Sequence, residues 1–352
     1  MRLRGLGRVK RWYLKSRSFV EFRVAILMYH RVTRADSDPF SLCVTPEHFA
    51  EHMEQLRSRY LVLSLKDLKN ALLANSLPRR AVVVTFDDGY ADNRSHAQPL
   101  LERYEVPSTF FVTTGYLQEN RRFWWDELER LILRSPSLPQ NLSVTVSGKT
   151  LAWDLGTWAT LPVPGKTSHP DWRVGTTYPT PRHRSYYELH RLLLDSEEEE
   201  RERVLAHLGS QVVRHSNESP DDRTMNLTEL SDLSKSQLVE IGSHAVTHTA
   251  LSALTPDRCR WELDESKRVL EDVVGKPVSA ISYPFGGVED VGELPIQLAK
   301  ESGFDVGCSS IERTVTAGEK ALWLPRLFVP NWDGDEFSRG LRMFFRTPQA
   351  RS

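Results

Sequence analysis

Short apolar runs and helix-like patterns alternate along most of the chain. Strand-like runs occupy seven stretches, at 24–28 (VAILM), 61–63 (LVL), 81–86 (AVVVTF), 108–114 (STFFVTT), 238–242 (LVEIG), 278–283 (VSAISY) and 304–310 (FDVGCSS). Strands that alternate with helices form parallel sheets. Seven or so such units favour a closed, barrel-like arrangement over an open sheet.

Residues that begin and end helices mark the segments between these runs. Capping residues predict helices that begin after Thr45, Ser64 and Thr255, because a side-chain oxygen at this position accepts a hydrogen bond from the first helical turn. Gly275 predicts the end of the last of these helices. A further helix is expected over about 92–104. The fold class is therefore α/β.

The alternation stops between about 119 and 226. This stretch contains the helical pattern FWWDELERLILRS, a segment rich in Trp, Pro, Gly and Thr at 153–181, and the charged helix EEEERERVLAHL at 197–208. We predict a mostly helical insertion in a domain that spans residues 22–335. Its tryptophans have two interpretations, stacking on sugar rings or filling a small core of their own.

Charge and cysteine content narrow the classes of partner. The chain of 352 residues has a formal net charge of −1, so no overall positive field would recruit nucleic acid. Its three cysteines are far apart and include no C-x-x-C pair, so neither a disulfide framework nor a thiolate metal site is indicated. A reducing compartment fits this pattern.

The two ends of the chain are basic. Residues 1–21 are predicted to form an arm with seven Lys or Arg among its first seventeen positions. The arm lacks the apolar core of a signal peptide, and no stretch is long and apolar enough for a membrane span, so we expect a cytoplasmic protein.

The C-terminal tail, 336–352, places Phe337, Leu341 and Phe344 at helical spacing among arginines. Peripheral contact of both ends with an anionic bilayer is one interpretation. A disordered arm and an ordinary packed helix are the alternative, which we favour.

Two pairs of polar residues follow strand-like runs. Asp87 and Asp88 come directly after 81–86, and His244 and His248 follow 238–242 with a spacing that places both imidazoles on one side of a helical turn. Taken singly, these residues also fit an Asp-Gly turn, a core histidine and a surface histidine. Parallel strands, however, end at one face, and two His plus one carboxylate is the ligand set of an open catalytic metal site.

The second aspartate then has a separate use. A divalent cation accommodates two adjacent carboxylates when it binds one of them and the other stays free as a base toward the attacking water. Adjacent residues at a strand end point in different directions, so the two carboxylates can do different jobs.

These motifs resemble a known family. TFDDG at 85–89, SHAVTH at 243–248 and SYPFGG at 282–287, with the flanking ILMYHRV, FWWDELE and LPRLFV, are similar to the NodB-homology polysaccharide deacetylases, carbohydrate esterase family 4, and to its exopolysaccharide-associated bacterial members. The resemblance covers about 22–335. It implies a distorted (β/α)7-type barrel and the removal of N-acetyl groups from a polysaccharide or oligosaccharide in exopolysaccharide or cell-envelope metabolism.

The resemblance also implies roles for single residues. Asp87 would be the general base, and Asp88, His244 and His248 would bind a divalent metal, with zinc the usual one in the family. Around the substrate, Tyr283 and Phe285 are expected to wall the groove or to supply backbone N–H groups to an oxyanion, and Pro284 and Gly286 indicate a fixed turn there.

Two positions depart from the family pattern. Ser282 stands where the family often has an arginine that orients the base, and no histidine follows the leucine of LPRLFV, so the general acid is unassigned. His30 is a candidate for the acid, with a supporting or packing role as the alternative. Arg326 is a candidate for the group that holds Asp87.

A second function class remains open. The chain could be a carbohydrate-binding or regulatory protein on a deacetylase scaffold. The complete set of base and three ligands argues against this, because a binder does not need an unliganded acid beside a metal. The length and linkage of the saccharide, including a small or lipid-linked sugar, and the identity of the metal are also left open.

Overall fold

The computed structural model describes residues 22–117, 121–161, 167, 169–212 and 222–346. These residues divide into two compact units. The first comprises the described parts of Met1–Thr33, Val44–Glu119 and Met225–Ser352, and the second those of Arg34–Cys43 and Asn120–Thr224. Thus the second unit also contains a short segment from near the beginning of the chain.

The first unit is built on an eight-stranded sheet in which all paired strands are parallel. Val24–Tyr29 and Ala81–Phe86 lie at its centre with a register of six residue pairs. Leu61–Val62 pairs with the start of Ala81–Phe86. The other strands complete the spatial order Val306–Cys308, Ala280–Ser282, Val239–Ser243, Ser108–Val112, Ala81–Phe86, Val24–Tyr29 and Leu327–Phe328.

One short segment connects the two edges of this sheet. Leu324 forms a parallel bridge with Cys308 of the first edge strand. Three residues later, Leu327 pairs with Leu27 on the other side. The predicted α/β barrel-type architecture is confirmed in this form, a parallel sheet curled into a half-barrel with helices.

Helices follow the strands, as the alternation predicts. In the first unit they are Pro46–Arg59, Leu65–Leu73, Gln98–Arg103, Leu227–Leu233, Pro256–Val274, Val288–Val291, Glu293–Glu301 and Gly334–Arg346, with single turns of other helix types at Asn93–Ala97, Thr114–Tyr116 and Leu251–Ala253. Thr45, Ser64 and Thr255 cap their helices through side-chain oxygens. Gly275 ends the longest helix with a left-handed φ of 64°.

The helix Gly334–Arg346 packs against the first unit. Phe337 and Leu341 are fully buried, and the Phe337 ring stacks on His52 with ring centroids 4.1 Å apart. Phe344 is partly buried against the same core. The apolar side chains expected at a bilayer therefore contact the protein, and residues 1–21 and 347–352 lie outside the described residues.

No helix in the described part of the chain has the length and apolar character needed to cross a membrane.

The second unit contains a β-hairpin that the sequence analysis missed. Asn141–Val146 pairs antiparallel with Lys149–Asp154. The turn residues Ser147 and Gly148 have φ of 48° and 76°, as a two-residue hairpin turn requires. Its helices are Trp124–Glu129, Arg130–Arg134 (a π-helix), Gly156–Ala159 (a short 3₁₀ helix), Pro181–Leu194 and Glu198–Ser210.

Most of the tryptophans in this unit are buried. Trp124, Trp125, Trp153 and Trp172 are all under 9% exposed, so their rings fill the core of the unit, which was the second interpretation. Trp158 is partly exposed.

The alternating side-chain directions along the strand Ala81–Phe86 determine which way the Asp87 side chain points. Val82, Val84 and Phe86 contribute to one core cluster, and Ala81 and Val83 to the other. Thr85 and Asp87 continue the second set, because alternate residues of a strand share a face. The Asp87 side chain is therefore directed to the same side of the strand as Ala81 and Val83.

Candidate metal centre

The turn after the strand separates the two aspartates. Asp88 and Gly89 have φ of 75° and 86°, so the chain leaves the extended conformation immediately after Asp87. A side chain at position 89 would meet Val112 Cγ1 at 2.9 Å, so glycine is required here. The Asp88 carboxylate consequently points in a different direction from the Asp87 carboxylate and faces His244 and His248.

Asp88, His244 and His248 form a group of potential metal ligands. Their ligand atoms all lie within 4.8 Å of one another. Asp88 Oδ1 is 3.4 Å from His244 Nε2 and 3.3 Å from His248 Nε2. Ligand atoms about 2.0–2.2 Å from a tetrahedral cation lie about 3.3–3.6 Å apart, so the spacing fits a bound ion.

The hydrogen bonds around these residues support the same assignment. Asp88 is 3% exposed, and its Oδ1 has no hydrogen-bond partner in the described part of the chain. A buried carboxylate oxygen without a partner is costly unless a cation binds it. His244 Nδ1 is 2.7 Å from the carbonyl oxygen of Ser282, which accepts its proton and leaves Nε2 as the ligand atom.

The charges around Asp88 keep its carboxylate ionised. Burial raises the pKa of the Asp88 carboxyl, but the adjacent His244 and His248 hold this pKa well below its usual value. Burial lowers the pKa of His244, and Asp87 and Asp88 more than offset this effect and raise it. The carboxylate is thus ionised, as a metal ligand must be.

Asp87 is held by a buried guanidinium. Arg326, which is 1% exposed, donates to Asp87 Oδ1 at 2.7 Å and to Oδ2 at 2.6 Å. Ser282 Oγ lies 3.1 Å from Asp87 Oδ2 and donates to it. Burial raises the pKa of the Asp87 carboxyl, but the Arg326 charge holds it below its usual value. Asp87 is therefore an oriented carboxylate.

Arg326 is itself fixed by residues in or directly after three strands. Its Nε donates to the Ser309 carbonyl at 2.9 Å, and its NH2 group donates to Ser282 Oγ at 2.8 Å. A weaker contact of 3.3 Å reaches Thr85 Oγ1. In the sequence Ser282 stands out only as a missing arginine, whereas in the structure it is a partner of both Asp87 and Arg326.

His30 lies at the end of the strand Val24–Tyr29. Burial lowers its pKa, and the nearby charges of Asp88 and Asp87 only partly oppose this. Its Nδ1 is buried without a hydrogen-bond partner among the described residues. The structure thus brings His30 near both aspartates.

Comparison with known families agrees with this geometry. The family profile described as Polysaccharide deacetylase matches residues 74–135 and 204–307, which include both aspartates and both histidines. The chain carries a polysaccharide deacetylase domain.

Curated relatives of the deacetylase domain are distant. The YxkH protein of Bacillus subtilis is 35% identical over 92 residues, which cover 26% of this chain and only 32% of that protein. The poly-beta-1,6-N-acetyl-D-glucosamine N-deacetylase of Staphylococcus aureus is 20% identical over 342 residues, with 91% of this chain and 86% of that protein covered.

Solved structures show the same fold. The deacetylase PplD of Streptococcus pyogenes, solved with acetate, has a TM-score of 0.55 at 18% identity, with 91% of this chain and 99% of that chain covered. IcaB from Ammonifex degensii has a TM-score of 0.54 at 15% identity, with 92% and 97% covered. At these identities the likeness concerns the fold of the deacetylase domain alone.

The SYPFGG turn presents one aromatic ring at the site. Phe285, with φ of 60°, is 40% exposed, and its ring contacts His248 edge-to-face at a centroid distance of 5.0 Å. Gly286 N donates to the Pro284 carbonyl at 2.7 Å, so the turn is tight. Pro284 itself is buried.

Tyr283 does not take the place expected for it. Its side chain is 1% exposed, and its hydroxyl donates to the Leu322 carbonyl at 3.0 Å. The expectation that it walls a groove does not fit this burial. An apolar ring with one polar end suits a core position as well as a groove, and the sequence could not distinguish the two. Of the two aromatic residues in this turn, Phe285 alone is exposed.

A polar cluster that was not identified from the sequence lies against the backbone of His30 and the residues after it. Asn93 Nδ2 donates to the His30 carbonyl at 2.8 Å. Asp92 is fully buried and accepts from Arg31 Nε and Val32 N, both at 2.9 Å. These contacts fix the backbone from His30 to Val32. The only sequence signal is a further acid and amide shortly after TFDDG.

Proposed function

We propose that this protein is a metal-dependent hydrolase that removes N-acetyl groups from a polysaccharide. The observation that carries the proposal is the buried Asp88 Oδ1, which has no hydrogen-bond partner among the described residues and lies 3.4 and 3.3 Å from the ε nitrogens of His244 and His248. This donor set fits a divalent ion, with zinc the first choice for two imidazoles and one carboxylate.

Asp87 acts as the general base in this proposal. A bound divalent ion would polarise the amide carbonyl and lower the pKa of the attacking water. Each carboxylate oxygen can accept more than one hydrogen bond, so Asp87 can receive the proton of water while both oxygens stay bonded to Arg326. Arg326 is therefore the group that orients the base. Ser282, at the position where the family often has the orienting arginine, is too short for this role.

His30 is proposed to give a proton to the leaving amine. It follows the strand that pairs with the one before Asp87, and the negative charges of Asp87 and Asp88 favour the protonated imidazole that this role requires. A positioned acid contributes about 10²–10⁴-fold to a rate.

His30→Ala is accordingly expected to lower kcat by about 10²-fold or more with the metal content unchanged. The measurement is steady-state acetate release together with metal analysis of the same samples. His207→Ala, at an exposed histidine of the second unit, is the matched control and should keep the parent rate. A His30→Ala protein with near-normal kcat would assign the acid to another group or to water.

The proposed substrate class is an N-acetylated glucosamine polymer. The Staphylococcus aureus relative, which aligns over most of both chains, is named for poly-beta-1,6-N-acetyl-D-glucosamine. The exposed Phe285 ring beside His248 offers an apolar surface for a sugar face. An exopolysaccharide or cell-envelope glycan fits both observations.

Acetate release from a panel of saccharides tests the function. We expect release from N-acetylglucosamine oligomers or polymers of β-1,6 or β-1,4 linkage, loss of release after a chelator, and recovery when Zn²⁺ is restored. If the protein binds such saccharides but releases no acetate from any of them with metal present, the alternative of a carbohydrate-binding protein on this scaffold is correct.

A further inference from the structure

The two histidines of the candidate metal centre are joined by a strained loop. Ala245, Val246 and Thr247 separate His244 from His248. Ala245 and His248 have φ of 61° and 56°, in the left-handed region that residues other than glycine rarely adopt. Such a conformation persists only where surrounding contacts hold it.

One side of the loop is fixed by the backbone of a neighbouring turn. Thr114 N donates to the Ala245 carbonyl at 3.1 Å, and Gly115 N donates to the Val246 carbonyl at 2.9 Å. A Cβ atom at position 115 would lie 2.6 Å from the Val246 oxygen, so glycine permits this close approach.

The other side is fixed by one buried carboxylate. Glu262, on the helix Pro256–Val274, accepts from Val246 N at 2.8 Å and from Thr247 N at 2.9 Å through the same oxygen. Its other oxygen accepts from Thr247 Oγ1 at 2.7 Å, and Arg258 lies 3.3 Å from that oxygen. The Glu262 side chain is fully buried.

The backbone N–H groups of the loop are all hydrogen-bonded. Ala245 N donates to Ser243 Oγ at 3.1 Å, so every N–H between the two histidines has an acceptor. Two of these three N–H groups depend on Glu262 alone among the contacts described. Without the Glu262 carboxylate, the N–H groups of Val246 and Thr247 lose their acceptor. Unpaired N–H groups cost free energy, so the loop is then more stable in a conformation that turns them toward water.

We propose that Glu262 is a positioning residue for the metal site. It holds the loop in its left-handed conformation and thereby sets the separation of the His244 and His248 ε nitrogens around Asp88. This inference rests on the proposed metal-dependent function. Glu262 does not contact the ion or the substrate, so its effect reaches the site through the backbone of Val246 and Thr247.

The affinity for Zn²⁺ tests this role without reference to catalysis. Glu262→Ala is expected to raise the Kd for Zn²⁺ by about 10–100-fold, the usual effect of losing a group that supports metal ligands. The Kd is measured by competition with a chromophoric chelator, and thermal unfolding of the metal-free proteins is followed in parallel. Glu262→Gln keeps an acceptor for the two N–H groups and should restore the Kd to within about threefold of the parent.

A matched control comes from the same helix. Glu265 bonds to Arg268 at the surface and does not contact the loop in the described structure, so Glu265→Ala should leave the Kd unchanged. A folded Glu262→Ala protein with the parent Kd would overturn the inference, whatever its unfolding temperature.

A milder variant keeps the test decisive if Glu262→Ala does not fold. Thr247→Val removes the hydroxyl donor but keeps the branched shape, and we expect the Kd to rise about fivefold for the loss of one such bond. An unchanged Kd in that variant would overturn the inference. If the parent protein itself binds no divalent ion, the proposed function is wrong. If the parent and Glu262→Ala bind Zn²⁺ equally tightly, the proposed function stands and only the role of Glu262 is overturned.

Discussion

Replacing Asp87 by asparagine is expected to give a protein that still binds its divalent ion but deacetylates at least about a hundredfold more slowly. A general base contributes about 10²–10⁴-fold, or roughly 3–5 kcal/mol of barrier. Asp88, His244 and His248 are untouched by this change, so metal content should stay at the parent level. Saccharide affinity should change little, because the base acts mainly in the transition state.

The ion pair with Arg326 determines how this experiment must be controlled. Asp87→Asn leaves the buried guanidinium without a counter-charge, and breaking a buried pair from one side costs about 3–5 kcal/mol of folding free energy. The double variant Asp87→Asn with Arg326→Met removes both charges and is expected to recover stability without recovering the rate. Initial rates of acetate release and thermal unfolding curves decide the case. Deacetylation at the parent rate by Asp87→Asn would refute the base assignment.

Removing a histidine ligand is expected to have the largest effect of all. His244→Ala and His248→Ala each leave two ligands where three converge, so the purified variants should lose their divalent ion. The ion lowers the pKa of water from 15.7 to about 7, so we expect turnover to fall by more than about a thousandfold. Elemental analysis of the purified proteins, alongside acetate release, measures both effects.

The exposed His207 again supplies the control, because His207→Ala removes an imidazole elsewhere in the chain. Stoichiometric metal in both ligand variants would show that the cation, if any, binds elsewhere. His248→Ala is the cleaner of the two variants. His244 also donates to the Ser282 carbonyl, so its loss disturbs the partner of Asp87 as well.

Local patterns made much of this fold predictable. The strand before Asp87 is an uninterrupted apolar run, and Thr255 and Gly275 mark both ends of the longest helix at the positions the structure shows. The two pairs of possible ligands follow strands, and parallel strands end at one edge. Each of these inferences starts from a short local stretch of sequence.

Contacts between distant residues were harder to foresee. Arg326 and Asp87 are 239 positions apart, and only the family pattern suggested a guanidinium for this place. Glu262 is one of many acids on an amphipathic helix, and nothing in its neighbourhood marks it as buried. The hairpin at 141–154 is a different case, because the alternation of Leu142, Val144 and Val146 before Ser147-Gly148 was a readable signal.

The segment that connects the sheet edges also supplies the partner of the base, and this has a consequence for the order in which the site is completed. Leu324 and Leu327 make the two strand contacts, and Arg326 between them reaches Asp87. During synthesis from the N-terminus, the three proposed metal ligands, Asp88, His244 and His248, leave the ribosome before Arg326 does. A nascent chain can therefore bring these ligands together while Asp87 still lacks a counter-charge, and the proposed base is oriented only when the last strand docks.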